Sequence, residues 1–82
     1  MKTSEAAAEQ QSSTEIIERN FTCHPPKQGQ PERYQQIRDA AKQLALLLNG
    51  QCPPSRERSL AMTKLEESVF WANASIARND SE

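Results

Sequence analysis

The sequence predicts an all-α protein: an antiparallel two-helix hairpin with a short N-terminal helix, assembled as a homo-oligomer. The hairpin is predicted because apolar residues recur at steps of three and four in two long segments, which a short Pro-Pro turn separates. The assembly is predicted because the second segment carries Phe70 and Trp71 beside its apolar stripe, more apolar surface than one partner helix covers. A chain of 82 residues is too short to supply further helices, so we expect neighbouring subunits to cover this surface.

The beginning of the chain divides into a leader and the start of a folded domain. Residues 1–13 are rich in Ala, Glu, Gln and Ser without apolar periodicity, a composition typical of a flexible leader. We expect the helical-hairpin domain to occupy residues 14–82. Thr14 is a candidate N-cap for a short helix at about 15–20, whose first turn carries acidic residues.

The two long helices are delimited by residues that start or stop helices. The expected elements are an extended connector at 21–30, a helix at about 31–49 and a second helix at about 56–79. Pro31 suits the first turn of the first helix, and Gly50 suits the position just past its end. Ser55 is the expected N-cap of the second helix.

Both helices carry an apolar stripe that would form the seam of the hairpin. On the first helix the stripe is Tyr34, Ile37, Ala41, Leu44 and Leu48; on the second it is Met62, Leu65, Val69, Ala72 and Ile76. In an antiparallel hairpin that turns near residue 52 or 53, Tyr34 comes level with Phe70 and Trp71. We expect the subunit interface to include these two aromatic residues and the small residues Ser68 and Ser75.

The charge of the chain is close to balanced but unevenly distributed. The formal net charge is −1, yet residues 24–64 alone carry +4. A protein that binds duplex DNA is usually basic overall because its affinity comes largely from phosphate neutralisation, so DNA is not an expected partner. A small anion, which needs two or three cations around it, fits better. Arg38 falls level with Glu66 and Glu67 and is expected to pair with them.

Metal, cofactor and membrane binding find no support in the sequence. Cys23 and Cys52 have no disulfide framework spacing and are expected to be reduced thiols. Cys23 and His24 are adjacent rather than spaced, and the chain has no second histidine, so we expect no metal site. No apolar run approaches the roughly 20 residues that cross a bilayer.

Catalysis is not expected either. His24 lies in a proline-rich connector without an evident acid partner. Glu66 and Glu67 are adjacent on a helix and point about 100° apart, so they cannot act as a paired acid and base. The only glycines, Gly29 and Gly50, form no phosphate-binding loop.

A planar, phosphorylated ligand is the most favoured partner on chemical grounds. Such a ligand needs an aromatic face for its base and cations for its phosphates. The candidate binding residues are Tyr34 for stacking, Arg33, Lys27, His24 and Lys64 for phosphates, and Thr63 and Asn73 as polar contacts. Two alternatives remain open on chemical grounds. The charged residues could be ordinary solvated surface, and Tyr34 could belong to the core or to an interface.

Two stretches of the chain resemble a known family. They are the connector and helix start FTCHPPKQGQPERYQQIR at residues 21–38, and the turn and second helix CPPSRERSLAMTKLEESVFWANASIAR at residues 52–78. Both are similar to small phage and prophage proteins that carry the helical-hairpin domain shared by anti-CBASS and anti-Thoeris signal sponges. The resemblance covers about residues 20–79.

The resemblance implies a homo-oligomer, a hexamer in this family, that acts in the cytoplasm of an infected bacterial host. It implies binding of cyclic oligonucleotide immune messengers such as 3′,3′-cGAMP without cleavage, which suppresses CBASS-type antiphage defence. Tyr34 takes the stacking role by position, while Lys27, Arg33, Thr63 and Lys64 take the phosphate-binding role. The second helix reads Trp71-Ala-Asn-Ala74 where the family carries an arginine, which leaves binding of cyclic trinucleotides open. Asn73 is a substitute polar contact.

A second hypothesis needs no nucleotide. A hairpin with heptad-like spacing could be a phage interaction or regulatory protein that grips another protein by helix packing. The two hypotheses differ in whether a cyclic nucleotide stabilises the protein.

Overall fold

The computed structural model of the protein describes residues 13–80. Within that range the chain forms three helical segments and no strand: α1 at 13–20, α2 at Gln30–Gln51 and α3 at Arg56–Asn79. Contacts between α2 and α3 make the hairpin, so the predicted all-α architecture is confirmed. Of the predicted leader, residues 1–12 lie outside the described range, and residue 13 is already helical. Because α1 includes Thr14, this residue is not its N-cap.

The first long helix starts one residue before the predicted 31–49 range and ends two residues after it. Gly29 precedes the helix with a φ of 85°, a left-handed conformation that glycine adopts without strain, and Pro31 follows in the first turn. Gly50 lies inside the helix rather than past its end. The helix stops at Cys52, whose extended φ of −105° and ψ of 133° reflect the steric demand of the following Pro53.

The turn between the long helices is held by one hydroxyl and one guanidinium group. Ser55 Oγ accepts a hydrogen bond from the backbone N–H of Arg58 at 3.1 Å, which caps α3. The Arg58 guanidinium donates to the carbonyl oxygens of Asn49 at 3.3 Å and Cys52 at 3.1 Å. These carbonyls belong to the end of α2, where backbone acceptors lack helical partners. Arg58 therefore links the start of α3 to the end of α2.

The seam between α2 and α3 follows the predicted stripe with one exception. All five predicted residues of α3 are half-buried, as are the α2 residues Tyr34, Ile37, Ala41 and Leu48. Leu44, however, is 43% exposed, and Ala45 is half-buried in its place. A step of three residues carries Leu44 about 60° away from Ala41 around the helix, whereas a step of four carries Ala45 only about 40° away. Ala45 therefore lies nearer the centre of the seam.

The protomer has a thin apolar core. None of the apolar side chains in residues 13–80 is fully buried, while Phe70 and Trp71 are 69% and 62% exposed. The other large apolar side chains that remain exposed are Ile16, Ile17, Phe21, Leu46, Leu47 and Leu60, besides Leu44. An exposed apolar surface of this kind is typical of proteins that bind a partner through it.

No helix within residues 13–80 is long and apolar enough to cross a membrane, and no three His, Cys, Asp or Glu side chains there are grouped to hold a metal ion. Cys23 is exposed, Cys52 is half-buried, and both are free thiols.

Candidate functional site

Polar contacts attach α1 and the connector to the end of α3. The Arg19 guanidinium donates to Asn79 Oδ1 at 2.7 Å, which joins the last turn of α1 to the last turn of α3. His24 Nε2 donates to the carbonyl oxygen of Arg19 at 2.6 Å, and the Thr22 hydroxyl donates to the carbonyl oxygen of Glu18. The connector is thus folded back against α1, and a cleft remains between it and the two long helices.

The cleft has a volume of about 410 Å³ and is open to solvent. Its lining, as far as the described residues form it, consists of Asn20, Thr22, His24, Tyr34, Arg38, Asn73, Ala74, Ala77 and Arg78. Tyr34 and Arg38 lie one turn apart on α2, and Ala74 and Arg78 lie one turn apart on α3, so each pair shares a helix face. The volume falls within the roughly 300–1,000 Å³ of small-molecule sites.

The cleft is electrostatically positive. Two of its lining residues are arginines, and none of the described lining residues is an aspartate or glutamate. Arg38 donates to the neutral Gln35 Oε1 at 2.7 Å rather than to a carboxylate. The side chain of the half-buried Arg78 has neither an ion pair nor a hydrogen bond within residues 13–80. Neither guanidinium group is paired with a carboxylate, so both are available to bind an anion from solution.

Neutral groups complete the lining. The ring of Tyr34 is half-buried. The contact of His24 with a carbonyl oxygen requires the proton on Nε2, so Nδ1 is a hydrogen-bond acceptor while the ring is neutral. The side-chain oxygen of Asn73 is buried and has no hydrogen-bond partner in the described structure. An unpaired buried acceptor costs roughly 1–3 kcal/mol, so a donor that reached this amide would relieve that cost.

Three of the seven predicted binding residues meet in this cleft: His24, Tyr34 and Asn73. Tyr34 on α2 and Asn73 on α3 line it from the two long helices. The pairing predicted for Arg38 with Glu66 and Glu67 is wrong, since no ion pair joins them within the described residues.

Two predicted cations, Lys27 and Arg33, lie elsewhere and contact the end of α3. An Arg33 guanidinium nitrogen lies 2.7 Å from Asp80 Oδ2, and Lys27 Nζ donates to the carbonyl oxygen of Asp80 at 3.1 Å. The pKa of Asp80 is held below its usual value, chiefly by a hydrogen bond from Gln30 and further by Arg33. Lys27 and Arg33 are thus engaged within the protomer.

The predicted residues Thr63 and Lys64 lie on the exposed surface of α3, outside the cleft. Lys64 Nζ lies 3.4 Å from Glu67 Oε1, and Trp71 Nε1 donates to Glu67 Oε2 at 3.3 Å. The hydrogen bond from Trp71, followed by the attraction of Lys64, lowers the pKa of Glu67.

The two arginines of the cleft, Arg38 and Arg78, were not among the predicted binding residues. Arg38 follows Tyr34 by four residues, and helical spacing alone places the two on one face. No comparable signal identified Arg78, because its place in the cleft depends on how the connector folds against α3.

Comparison with protein families identifies the hairpin. The family model for the Acb2/Tad1 hairpin domain matches residues 13–77, most of the chain. No curated protein and no solved structure matches the chain. The family comprises the anti-CBASS and anti-Thoeris sponges, binding proteins rather than enzymes, and is associated with cyclic nucleotide immune signals. The resemblance seen in the sequence is therefore confirmed, and the chain belongs to the Acb2/Tad1 hairpin-domain family.

Proposed function

We propose that the protein sequesters cyclic oligonucleotide immune messengers, cyclic dinucleotides such as 3′,3′-cGAMP, and holds them without cleaving them. In the cytoplasm of an infected bacterium this would keep the messenger from its effector and suppress CBASS-type defence. The observation that carries the proposal is the cleft, where Tyr34, Arg38 and Arg78 meet and no described lining residue is acidic.

The chemistry of the cleft matches that of a cyclic dinucleotide. The ring of Tyr34 offers a face for one base, and base–aromatic stacking contributes roughly 1–3 kcal/mol. The guanidinium groups of Arg38 and Arg78 offer planar donor pairs to the phosphodiester oxygens. The amide of Asn73 is a contact for a base edge or a ribose hydroxyl.

Binding without cleavage fits the polar groups of the cleft. The only imidazole, that of His24, has its Nε2–H directed at a backbone carbonyl of α1. General acid–base cleavage of a phosphodiester would need a second proton-transfer group at hydrogen-bond distance, and no described lining residue supplies a carboxylate for it.

Self-association is part of the proposal, with a hexamer as the expected state. Phe70, Trp71 and Ala74 line a hollow of about 340 Å³ beside the cleft, and Ala74 and Arg78 line both. A second copy that covered the exposed Phe70 and Trp71, with Ser68 and Ser75 allowing close approach, would also cover the open side of the ligand site. Ligand contacts from Thr63 and Lys64 would require such a neighbouring subunit.

A thermal-shift screen tests this function. The melting temperature is measured with cyclic dinucleotides, a cyclic trinucleotide, a cyclic ADP-ribose isomer and a linear dinucleotide as control. We expect a cyclic dinucleotide at micromolar concentration to raise the melting temperature, because ligand that binds only the folded state stabilises it. Tyr34→Phe, which keeps the stacking ring, should retain the shift, and Tyr34→Leu should lose it.

The screen also separates the two functional hypotheses. If none of the cyclic nucleotides raises the melting temperature, the sponge proposal is wrong. The exposed Phe70 and Trp71 would then favour the alternative, an interaction or regulatory phage protein without a nucleotide ligand.

A further inference from the structure

Gln30 is the one side chain within residues 13–80 that is fully buried, at 2% exposure, although it is polar. It lies at the first position of α2. Its Oε1 accepts from the backbone N–H of Lys27 at 2.8 Å, and its Nε2 donates to Asp80 Oδ2 at 3.1 Å. A longer contact of 3.5 Å joins Nε2 to the carbonyl oxygen of Ile76. The amide thus connects the connector, α2 and the end of α3.

Two charged side chains surround this amide. Arg33 contacts the same Asp80 carboxylate oxygen at 2.7 Å, and Lys27 Nζ donates to the Asp80 carbonyl oxygen at 3.1 Å. We call Gln30, Lys27, Arg33 and Asp80 the Gln30 cluster. The contacts of the cluster with Asp80 bridge 47 to 53 positions of sequence, so they fix tertiary structure rather than a local turn.

The Gln30 cluster adjoins the cleft along the chain in three places. His24 lies three residues before Lys27, Tyr34 directly follows Arg33, and Arg78 lies two residues before Asp80. The cluster therefore joins the connector wall, the α2 wall and the α3 wall of the cleft at one end. The apolar seam, which is only half-buried, provides little other restraint on the connector.

We infer that Gln30 is a positioning residue that sets the geometry of the cleft through the cluster, without touching the ligand. Its importance for binding rests on the proposed function; its effect on the cleft does not. Glutamine suits the position because one side chain supplies both an acceptor for Lys27 and a donor for Asp80. Glutamate at position 30 would keep the acceptor but lose the donor, and its carboxylate would face that of Asp80.

The test combines Gln30→Glu with a rescue. In Gln30→Glu/Asp80→Asn, an amide donor at position 80 faces a carboxylate at position 30, which reverses the direction of the hydrogen bond. Gln28→Glu, at an exposed neighbouring position, is the control for charge. Each protein is compared with wild type by the NMR signals of the His24 ring and the Asn73 side-chain amide, and by its affinity for 3′,3′-cGAMP.

We expect Gln30→Glu to shift both NMR signals and to weaken binding by about tenfold, a loss of the size expected when a charge-assisted hydrogen bond is broken. The double variant should recover both, and Gln28→Glu should change neither. Unchanged NMR signals in Gln30→Glu overturn the inference, as does an affinity within twofold of wild type. If wild type binds no cyclic dinucleotide, the proposed function fails, and the NMR signals alone decide the role of Gln30.

Discussion

At the scale of single residues, the helix face on which a cation lies determines whether it lines the cleft. Closeness to Tyr34 in the sequence does not. Arg33 adjoins Tyr34 in sequence, but it points about 100° away on α2 and contacts Asp80. Arg38 is four residues from Tyr34 and shares its face. The predicted residue Tyr34 therefore lines the cleft, and the arginine that shares its face is Arg38 rather than Arg33.

Arg78 offers the clearest test of the electrostatic part of the site, since it has no partner within the described residues. Arg78→Gln should weaken binding of 3′,3′-cGAMP by about tenfold, because a charge-assisted contact to a phosphate is lost. The affinity of wild type should also fall with added salt, and that of the variant should fall less. Isothermal titration at two salt concentrations measures both effects.

Arg56→Gln is the matched control, because Arg56 is exposed at the opposite end of α3 and does not line the cleft. This variant should bind with the affinity of wild type. Equal losses in the two variants would show that general charge, rather than the cleft, determines binding.

Asp80 makes the free energy of unfolding depend on pH in the acidic range. Its pKa is lowered in the folded state, first by the hydrogen bond from Gln30 and also by Arg33. The stabilisation is therefore complete above the unfolded-state pKa of about 3.9 and is lost as the pH falls through the lower folded-state pKa. Urea unfolding of wild type should show this loss below about pH 4. In Asp80→Asn that part of the acid dependence should be missing, and a curve identical to wild type would contradict the assignment.

At the scale of elements, the sequence predicted both bounds of α3, whereas α2 ends two residues later than predicted. Ser55 and Pro31 act through local chemistry, a side-chain cap and a fixed φ, that is visible in the residues themselves. Gly50 was expected to end α2, but the proline that follows Cys52 determines where the helix stops. Leu44 and Ala45 fit the same spacing almost equally well, and only the packing against α3 distinguishes them.

The cap of α3 should contribute measurably to stability. Ser55→Ala removes the acceptor for the Arg58 N–H and should lower the free energy of unfolding by about 1 kcal/mol. Ser59→Ala, on the exposed surface of the same helix, should leave it unchanged within about 0.5 kcal/mol. Urea denaturation followed by circular dichroism measures both. A loss in Ser59→Ala as large as in Ser55→Ala would contradict the capping role.

At the scale of the whole molecule, apolar periodicity predicted the hairpin and its seam, and the excess of apolar surface predicted a partner. The cleft could not be predicted in the same way. Its walls come from three segments, and their arrangement depends on tertiary contacts such as those of Arg19 with Asn79 and of Gln30 with Asp80. Neither contact has a sequence signature.

The proposed self-association rests on the exposed side chains of Phe70 and Trp71. Light scattering at micromolar concentration should give a mass several times that of the 9.2 kDa protomer, and six times that mass for the expected hexamer. Trp71→Ala should lower the mass, because a large apolar side chain is lost from the interface. Gln36→Ala, a polar substitution on the exposed surface of α2, should not. A monomer mass for wild type would exclude the predicted assembly.

The proposed function requires that the protein binds a cyclic dinucleotide and releases it unchanged. Equilibrium dialysis of 3′,3′-cGAMP against the protein, followed by denaturation and chromatography of the released nucleotide, tests it most directly. We expect the messenger to be retained in a fixed ratio to protein and to be recovered intact. Failure to retain the messenger, or recovery of linear products, would contradict it.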